Sequence, residues 1–394
     1  MFNWPLMNDN VTIDDKQKMI DFINLPNVKF TNGEKVKEFE KAWSEWLGIK
    51  HSVFVNSGAS ANYIMASILK ETRGLGEVIV APLGWVSDVS PLVNLGFTPV
   101  FVDVNSENFC ITVDNIRNAI TDKTKGIVFV HALGFNGVSE ELLKLVKEKD
   151  LFFIEDCCES HGATYRNIKV GNFGDVSNFS FYFGHHITTI EGGMVCTNDF
   201  KIYELAKLFR SHGMTREISK ESQAEIIKQN PDLNPMFIFT VPGYNMRNME
   251  LNAVLGLNQL KRIDQNIKNR VDNLNAWLSN LDSDKFITNY DQVGNSNFAL
   301  PLVLKQKDKI FLDKICKLLE EEKVEFRIGT AGGGNQARQP YLTSGKYPFK
   351  VSGDSSVVNH IHDYGLYVGN NNDVTQDMIE HLVKKINLVS MENK

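Results

Sequence analysis

The chain has 394 residues, with 42 Lys and Arg against 48 Asp and Glu, a formal net charge of −6 and five cysteines. Mild acidity offers no footprint for a polyanion, so nucleic acid is not an expected partner, and no apolar run approaches the roughly 18 residues that a membrane helix needs. The cysteines form no disulfide framework and the first residues lack a basic-then-apolar leader, so a reducing cytoplasm is the expected setting.

The length predicts a large domain plus a smaller one. After an N-terminal segment (1–30), Val36, Phe39, Trp43, Trp46 and Leu47 fall at helical spacing, and Gly48 supplies a C-cap. A short extended piece at 52–55 runs into Asn-Ser-Gly-Ala-Ser-Ala-Asn at 56–62, and a helical pattern resumes over 61–69. Runs rich in Val, Ile and Phe follow at 77–81, 100–104, 126–131, 151–155 and 193–196. Several are apolar on consecutive positions, as strands buried on both faces of a mostly parallel sheet are. Amphipathic stretches between them, such as 139–148, are long enough for crossover helices. A long helical pattern follows Asn248 towards Ile267. Beyond it, strands are expected at 298–304 and 324–328, with an amphipathic segment at 309–322 and a last helix at 376–389. The fold class is therefore α/β: a large domain over 31–270 with a mostly parallel sheet, and a small C-terminal α+β domain over 271–394.

Three segments carry the chemistry. The turn at 56–62 joins a strand to a helix start, where exposed amides and a hydroxyl make a phosphate cradle; the same residues would serve as an ordinary N-cap. At 152–162 a buried strand ends in Glu155, Asp156 and, further on, Glu159. Ligands of open α/β sheets sit at such strand ends, although a carboxylate there can equally cap the next helix. The third segment, 180–193, holds His185 and His186. Histidine titrates near neutrality, but adjacent side chains diverge, and His161 and His212 complete no zinc spacing, so no metal is expected. A structural role for the pair stays open at this point.

Taken in order, these segments, with Gly-Tyr-Asn-Met-Arg at 243–247 and the helical stretch at 250–260, resemble the DegT/StrS family of nucleotide-sugar enzymes. These are pyridoxal-phosphate (PLP) proteins of the aspartate aminotransferase fold, fold type I, and the resemblance covers about residues 25–385. It implies that Asp156 pairs with the pyridine nitrogen and that Gly58, Ala59, Ser60 and Ser180 hold the phosphate. It also implies that Trp85 stacks on the ring, that Glu159 lies beside the coenzyme, and that Asn245 reaches the phosphate of a neighbouring subunit, which makes a homodimer.

One departure bears on the reaction. Family aminotransferases read Ser-Phe-x-x-x-Lys from the position of Ser180, and that lysine anchors the coenzyme covalently. Here the position is His185, and imidazole forms no such stable bond. With the rest of the pattern intact, the chain resembles the sugar 3-dehydratase subgroup, closest to the GDP-4-keto-6-deoxymannose 3-dehydratases, which carry histidine there, typically within a His-His pair. Glu159 agrees, since the aminotransferases tend to have glutamine. The resemblance implies a coenzyme working as free pyridoxamine phosphate (PMP), with glutamate as amino donor and a nucleotide-linked 4-keto-6-deoxy sugar as substrate. The carbon-3 hydroxyl would be lost with ammonia release, on the way to dideoxysugars of surface polysaccharide. His185 is the expected base and then acid, with His186 as fallback. A same-family aminotransferase and a non-catalytic binder are the alternatives.

One dehydratase branch carries a [2Fe–2S] cluster, which needs closely spaced thiolates. Cys110, Cys157, Cys158, Cys196 and Cys316 offer no C-x-C or C-x-x-C spacing, so the cluster-free branch is expected. Last, the glycine-rich stretch 327–339 places Arg327 and Arg338 where they would wrap a nucleotide diphosphate or form a solvated loop. With His186 they are the candidate substrate contacts.

Overall fold

The computed structural model describes residues 3–392. The chain opens with α1 (Ile13–Ile23) and α2 (Glu34–Leu47). Thr12 and Asp15 start α1 as a reciprocal capping box, and Gly48, at φ 81°, ends α2. Strand and helix then alternate through β1 (His51–Val55), α3 (Gly58–Arg73), β2 (Glu77–Val80), α4 (Ser90–Leu95), β3 (Thr98–Val102), α5 (Val113–Ala119), β4 (Thr124–Val130), α6 (Glu140–Glu148) and β5 (Phe152–Asp156). A short hairpin, β6 (Thr164–Tyr165) and β7 (Ile168–Lys169), leads to β8 (Val176–Ser180) and β9 (Gly193–Thr197). The helices α7 (Phe200–Arg210), α8 (Lys220–Gln229), α9 (Glu250–Leu260) and α10 (Ile263–Asn280) follow. The remainder is β10 (Ala299–Val303), α11 (Lys309–Glu321), β11 (Phe326–Ile328), α12 (Pro340–Thr343), β12 (Lys350–Ser352), α13 (Ser356–Tyr364), β13 (Gly365–Gly369) and α14 (Gln376–Glu392).

The main sheet has eight strands in the order β1-β9-β8-β5-β4-β2-β3-β12. Only β9 runs against the others. Its centre is apolar on consecutive positions, Val78–Ala81, Ile127–Val130 and Phe152–Ile154 all being buried, as a sheet covered on both faces requires. Beside it lies a smaller aromatic core. Phe39 meets Phe54 edge-on at 5.0 Å, and Trp43 meets Phe181 edge-on at 4.8 Å. The C-terminal part builds an antiparallel sheet of its own, β10-β13-β11.

Several elements differ from the sequence expectation. The strand β8 reads Val-Ser-Asn-Phe-Ser, too polar for a buried-strand pattern, yet every residue is buried. Its polar donors find partners inside: the Ser177 hydroxyl donates to the Gly171 carbonyl at 2.8 Å, and the Asn178 amide nitrogen to Asn62 and Asp156. The glycine-bounded β13 was likewise not foreseen. The long helical pattern after Asn248 is two helices parted at Lys261 and Arg262, and α10 runs on through position 270 to Asn280. The strand β12, short and lacking an apolar run, leaves the C-terminal part to pair with β3 at the edge of the main sheet, Lys350 opposite Val100.

The N-terminal segment is integral to the body. Trp4 is fully buried, its Nε1 donates to the Gly369 carbonyl at 2.8 Å, and its ring meets Trp277 edge-on at 6.4 Å. Among the described residues no helix is long and apolar enough to cross a membrane.

Candidate active site

Because these strands point the same way, the carboxyl ends of β1, β2, β4, β5 and β8 lie on one edge, and the residues that follow them wall a cavity of about 380 Å³. Open α/β sheets bind ligands there, and the volume suits a small molecule.

After β1, Ser57 caps α3, its Oγ accepting from the Ser60 amide at 3.0 Å, while the Ala61 amide donates to the Ser57 carbonyl at 3.1 Å. The two remaining first-turn amides belong to Gly58 and Ala59, which line the cavity. Gly58 is required: a Cβ there would stand 2.8 Å from that of Ser180, which closes the turn from the end of β8. The Ser60 hydroxyl donates instead to Asn56 Oδ1 at 2.6 Å, and Ser60 is not among the lining residues.

Across the cavity Asp156 ends β5. Its Oδ2 accepts from Asn62 at 3.0 Å and Asn178 at 3.1 Å, and its Oδ1 from the Cys158 amide at 2.9 Å. Those three donors fix the carboxylate in orientation. Asp88, which sequence reasoning missed, lies beside it, and the Asn62 amide reaches both carboxyls. Burial, then the charge of Asp156, pushes the Asp88 carboxyl well above the usual carboxylate range. Glu159 accepts from the Leu133 amide at 2.6 Å, and burial raises its pKa to about 7. Trp85, half exposed on the loop after β2, forms a wall, with the Arg327 guanidinium 5.8 Å over its ring and donating to Tyr367 Oη at 3.4 Å.

His185 lies on the loop after β8, its ring 5.1 Å from that of Phe298. Its Nδ1 is buried with no hydrogen-bond partner, and the residue lines the cavity. Burial, and then the charge of Arg270, lowers its pKa to about 3, so the imidazole is neutral across the physiological range. His186 is directed into the core: its Nε2 meets the Ser296 carbonyl and hydroxyl at 3.1 and 3.0 Å, and its ring stacks on His161 at 4.9 Å. It lines no part of the cavity.

The structure thus brings together Gly58, Ala59, Trp85, Asp156, Glu159, Ser180, His185 and Arg327. Asn245 is exposed, bridging Ser211 through the main chain, and Arg338 pairs with Asp363 at 3.0 Å on the surface; neither lines this chain's cavity. Besides Asp88, sequence reasoning missed Met7, Tyr182, Phe298 and Tyr367. Asp88 was within reach, being a carboxylate just past a predicted strand. Met7, Phe298 and Tyr367 arrive from remote segments and leave no local signal.

The donor set fits a pyridoxal-type coenzyme: an amide-and-hydroxyl turn for the phosphate, a fixed carboxylate opposite, and an aromatic wall. Among the described residues no lysine lines the cavity. Outside it, His131, Glu155 and Cys157 bring possible metal ligands within 4.8 Å, but the Glu155 carboxylate accepts from the amides of Gly171, Phe173 and Gly174 and serves the fold.

Residues 14–387 match the model of the DegT/DnrJ/EryC1/StrS aminotransferase family. The chain belongs to this family. It is 32% identical over 392 residues to GDP-4-keto-6-deoxy-D-mannose 3-dehydratase of Yersinia pseudotuberculosis, covering 97% of this chain and 98% of that one. The enzyme of the same name from Escherichia coli O55:H7 is 30% identical over 389 residues, at 97% and 99% coverage. Among solved structures, the E. coli GDP-4-keto-6-deoxy-D-mannose-3-dehydratase with bound hydrated PLP superposes with a TM-score of 0.88 at 28% identity, over 98% of this chain and 100% of that one. Another structure of a 3-dehydratase of that name, with the same score, holds a trapped PLP-glutamate geminal diamine. The family and the fold of its PLP enzymes are those expected from the sequence motifs.

Proposed function

We propose that this family member is a PLP/PMP-dependent 3-dehydratase that removes the carbon-3 hydroxyl of GDP-4-keto-6-deoxymannose, with glutamate as amino donor and ammonia as by-product. The observation that carries the reading is His185: a neutral imidazole on the cavity wall at the position where the family's aminotransferases have lysine.

Gly58, Ala59 and Ser180 would hold the coenzyme phosphate, Trp85 its ring face and Asp156 its pyridine nitrogen. Bound there, the coenzyme supplies the electron sink that lets a carbon-bound proton leave and a neighbouring hydroxyl be expelled. His185 takes that proton at Nε2 and returns it to the departing hydroxyl, which leaves as water. An imidazole does this without recapturing the coenzyme, as a lysine would. Arg327, beside Trp85 at the mouth, is the substrate contact we assign from the sequence candidates, since it is the arginine of the two that lines the cavity. Asn245, exposed on its own chain, would complete the phosphate site of a partner subunit in a homodimer. The match at 32% identity to an enzyme named for GDP-4-keto-6-deoxy-D-mannose supports the nucleotide and sugar.

The test is incubation of the purified chain with pyridoxal phosphate, glutamate and GDP-4-keto-6-deoxymannose. Ammonia, 2-oxoglutarate and a sugar nucleotide lighter by one oxygen are expected. A product that retains an amino group would replace dehydration with transamination, and binding without turnover would leave only a binding protein.

A further inference from the structure

The helix α10 carries an arginine that the coenzyme site does not explain. Arg270 is 3% exposed. Buried ions are ordinarily paired, because an unpaired one carries a heavy desolvation cost. Arg210, the other fully buried arginine among the described residues, follows that rule, meeting Glu40 at 2.6 Å, and the half-buried Arg262 meets Asp15 at 2.5 Å. Among the described residues no carboxylate lies within 4.0 Å of Arg270, and its Nε is buried without a partner.

Its two other nitrogens donate to main-chain carbonyls, Nη1 to Phe298 at 2.9 Å and Nη2 to His185 at 3.2 Å. These two residues meet again at their rings, 5.1 Å apart. One turn earlier on the same helix, Asn266 donates to the His186 carbonyl at 3.0 Å. The helix therefore grips two consecutive carbonyls of the loop, and the fork of Arg270 also fixes the residue that packs on the imidazole.

We propose, building on the dehydratase reading of His185, that Arg270 is a positioning residue for its proton transfers, clamping the His185 and Phe298 main chains while its unpaired charge disfavours the imidazolium. The charged and titratable groups around the imidazole are Arg270 from α10, Asp156 from β5, and His161 and His186 nearby. Asp9 and Asp373 line a small polar recess with His185 and Arg270. Of the charges acting on the ring, that of Arg270 lowers its pKa and that of Asp156 opposes this. The arrangement serves both halves of the transfer. The free base is neutral and accepts the carbon-bound proton. Once protonated, it faces a second cation and gives the proton up to the leaving hydroxyl, while the electron pair left at carbon expels the C3–O bond. One proton moves, one water leaves, and the base returns to its starting state.

Arg270→Gln keeps a donor and removes the charge; Arg270→Lys keeps the charge and removes the fork. The readouts are the pH profile of ammonia release and an NMR titration of the His185 imidazole in ¹³C-histidine-labelled, coenzyme-free protein, assigned with His185→Asn. In Arg270→Gln the acid limb and the imidazole titration should both rise by about one to two pH units. Arg270→Lys should keep the parent profile with a lower kcat. A parent imidazole titrating at its ordinary value near 6.5 would overturn the proposal, as would a Lys variant displaced as far as the Gln variant. Should Arg270→Gln fail to fold, the parent titration and the Lys profile still decide. A parent that folds and releases no ammonia would count against the dehydratase reading, whereas the titration reads the Arg270–His185 coupling without turnover.

Discussion

Arg262 stands at the N-cap of α10 and Arg270 sits about two turns further along it, and the structure treats them oppositely. Arg262 enters a closed network: Asp15, fully buried, accepts from it, from Asn258 and Gln259, and from the Thr12 amide that opens α1. Every strong donor there has its acceptor, and the result is a joint between the N-terminal segment and the helical layer. Arg270 has carbonyls where Arg262 has a carboxylate. A balanced charge fixes a fold and is chemically silent; an unbalanced one leaves a field, and here the field falls on His185, the base we propose. The comparison also separates loss of function from loss of fold.

The largest effect should come from the acting group itself. His185→Asn should lower ammonia release by a factor of about 10² to 10⁴, while the absorbance of bound coenzyme and the thermal midpoint stay near the parent values. Next is the silent partner. Asp15→Ala strands Arg262, and the expected cost is about 3 kcal/mol, read from urea unfolding, with the pH profile of turnover unmoved. A displaced profile would mean that the two arginines are coupled after all.

A pH series sharpens the point. Burial would raise the pKa of Asp15, but the Arg262, Thr12 and Asn258 hydrogen bonds outweigh it and hold the carboxyl below its ordinary value. Its stabilising contribution is then complete above the unfolded pKa of about 4 and is lost as pH falls through the folded one. Urea midpoints from pH 6 down to pH 3 should fall more steeply for the parent than for Asp15→Asn. The smallest effect is at Glu159, raised to about 7. Between its unfolded and folded pKa values the unfolded chain ionises first, so stability falls as pH rises. Coenzyme-free Glu159→Gln should gain about 2 °C over the parent between pH 5 and pH 8, measured by calorimetry.

The sequence revealed the site better than the architecture. Strands buried on both faces announce themselves by consecutive apolar residues, so β2 to β5 were legible, and with them the edge on which Asp156 must lie. The strand β8 escaped because it is polar in sequence, its Asn178 amide being met by Asn62 and Asp156 from distant parts of the chain, and composition cannot show that. Resemblance supplied the turn at 56–62, Trp85 and Ser180, residues whose local pattern also fits ordinary capping and packing. Arg270 was invisible for a different reason: an arginine on an amphipathic helix reads as solvated, and only the packing shows it buried with no carboxylate beside it among the described residues.

The edge strand β12 has a mechanical consequence. The C-terminal sheet belongs to a unit joined to the main body at α10, which both share, through the buried Trp4, and again where Lys350–Ser352 zips onto β3. A body held at three separated points has no free hinge axis. The sugar nucleotide we propose as substrate would then enter past Trp85 and Tyr182, both exposed at the rim of the cavity, and not by the swing of one unit against the other.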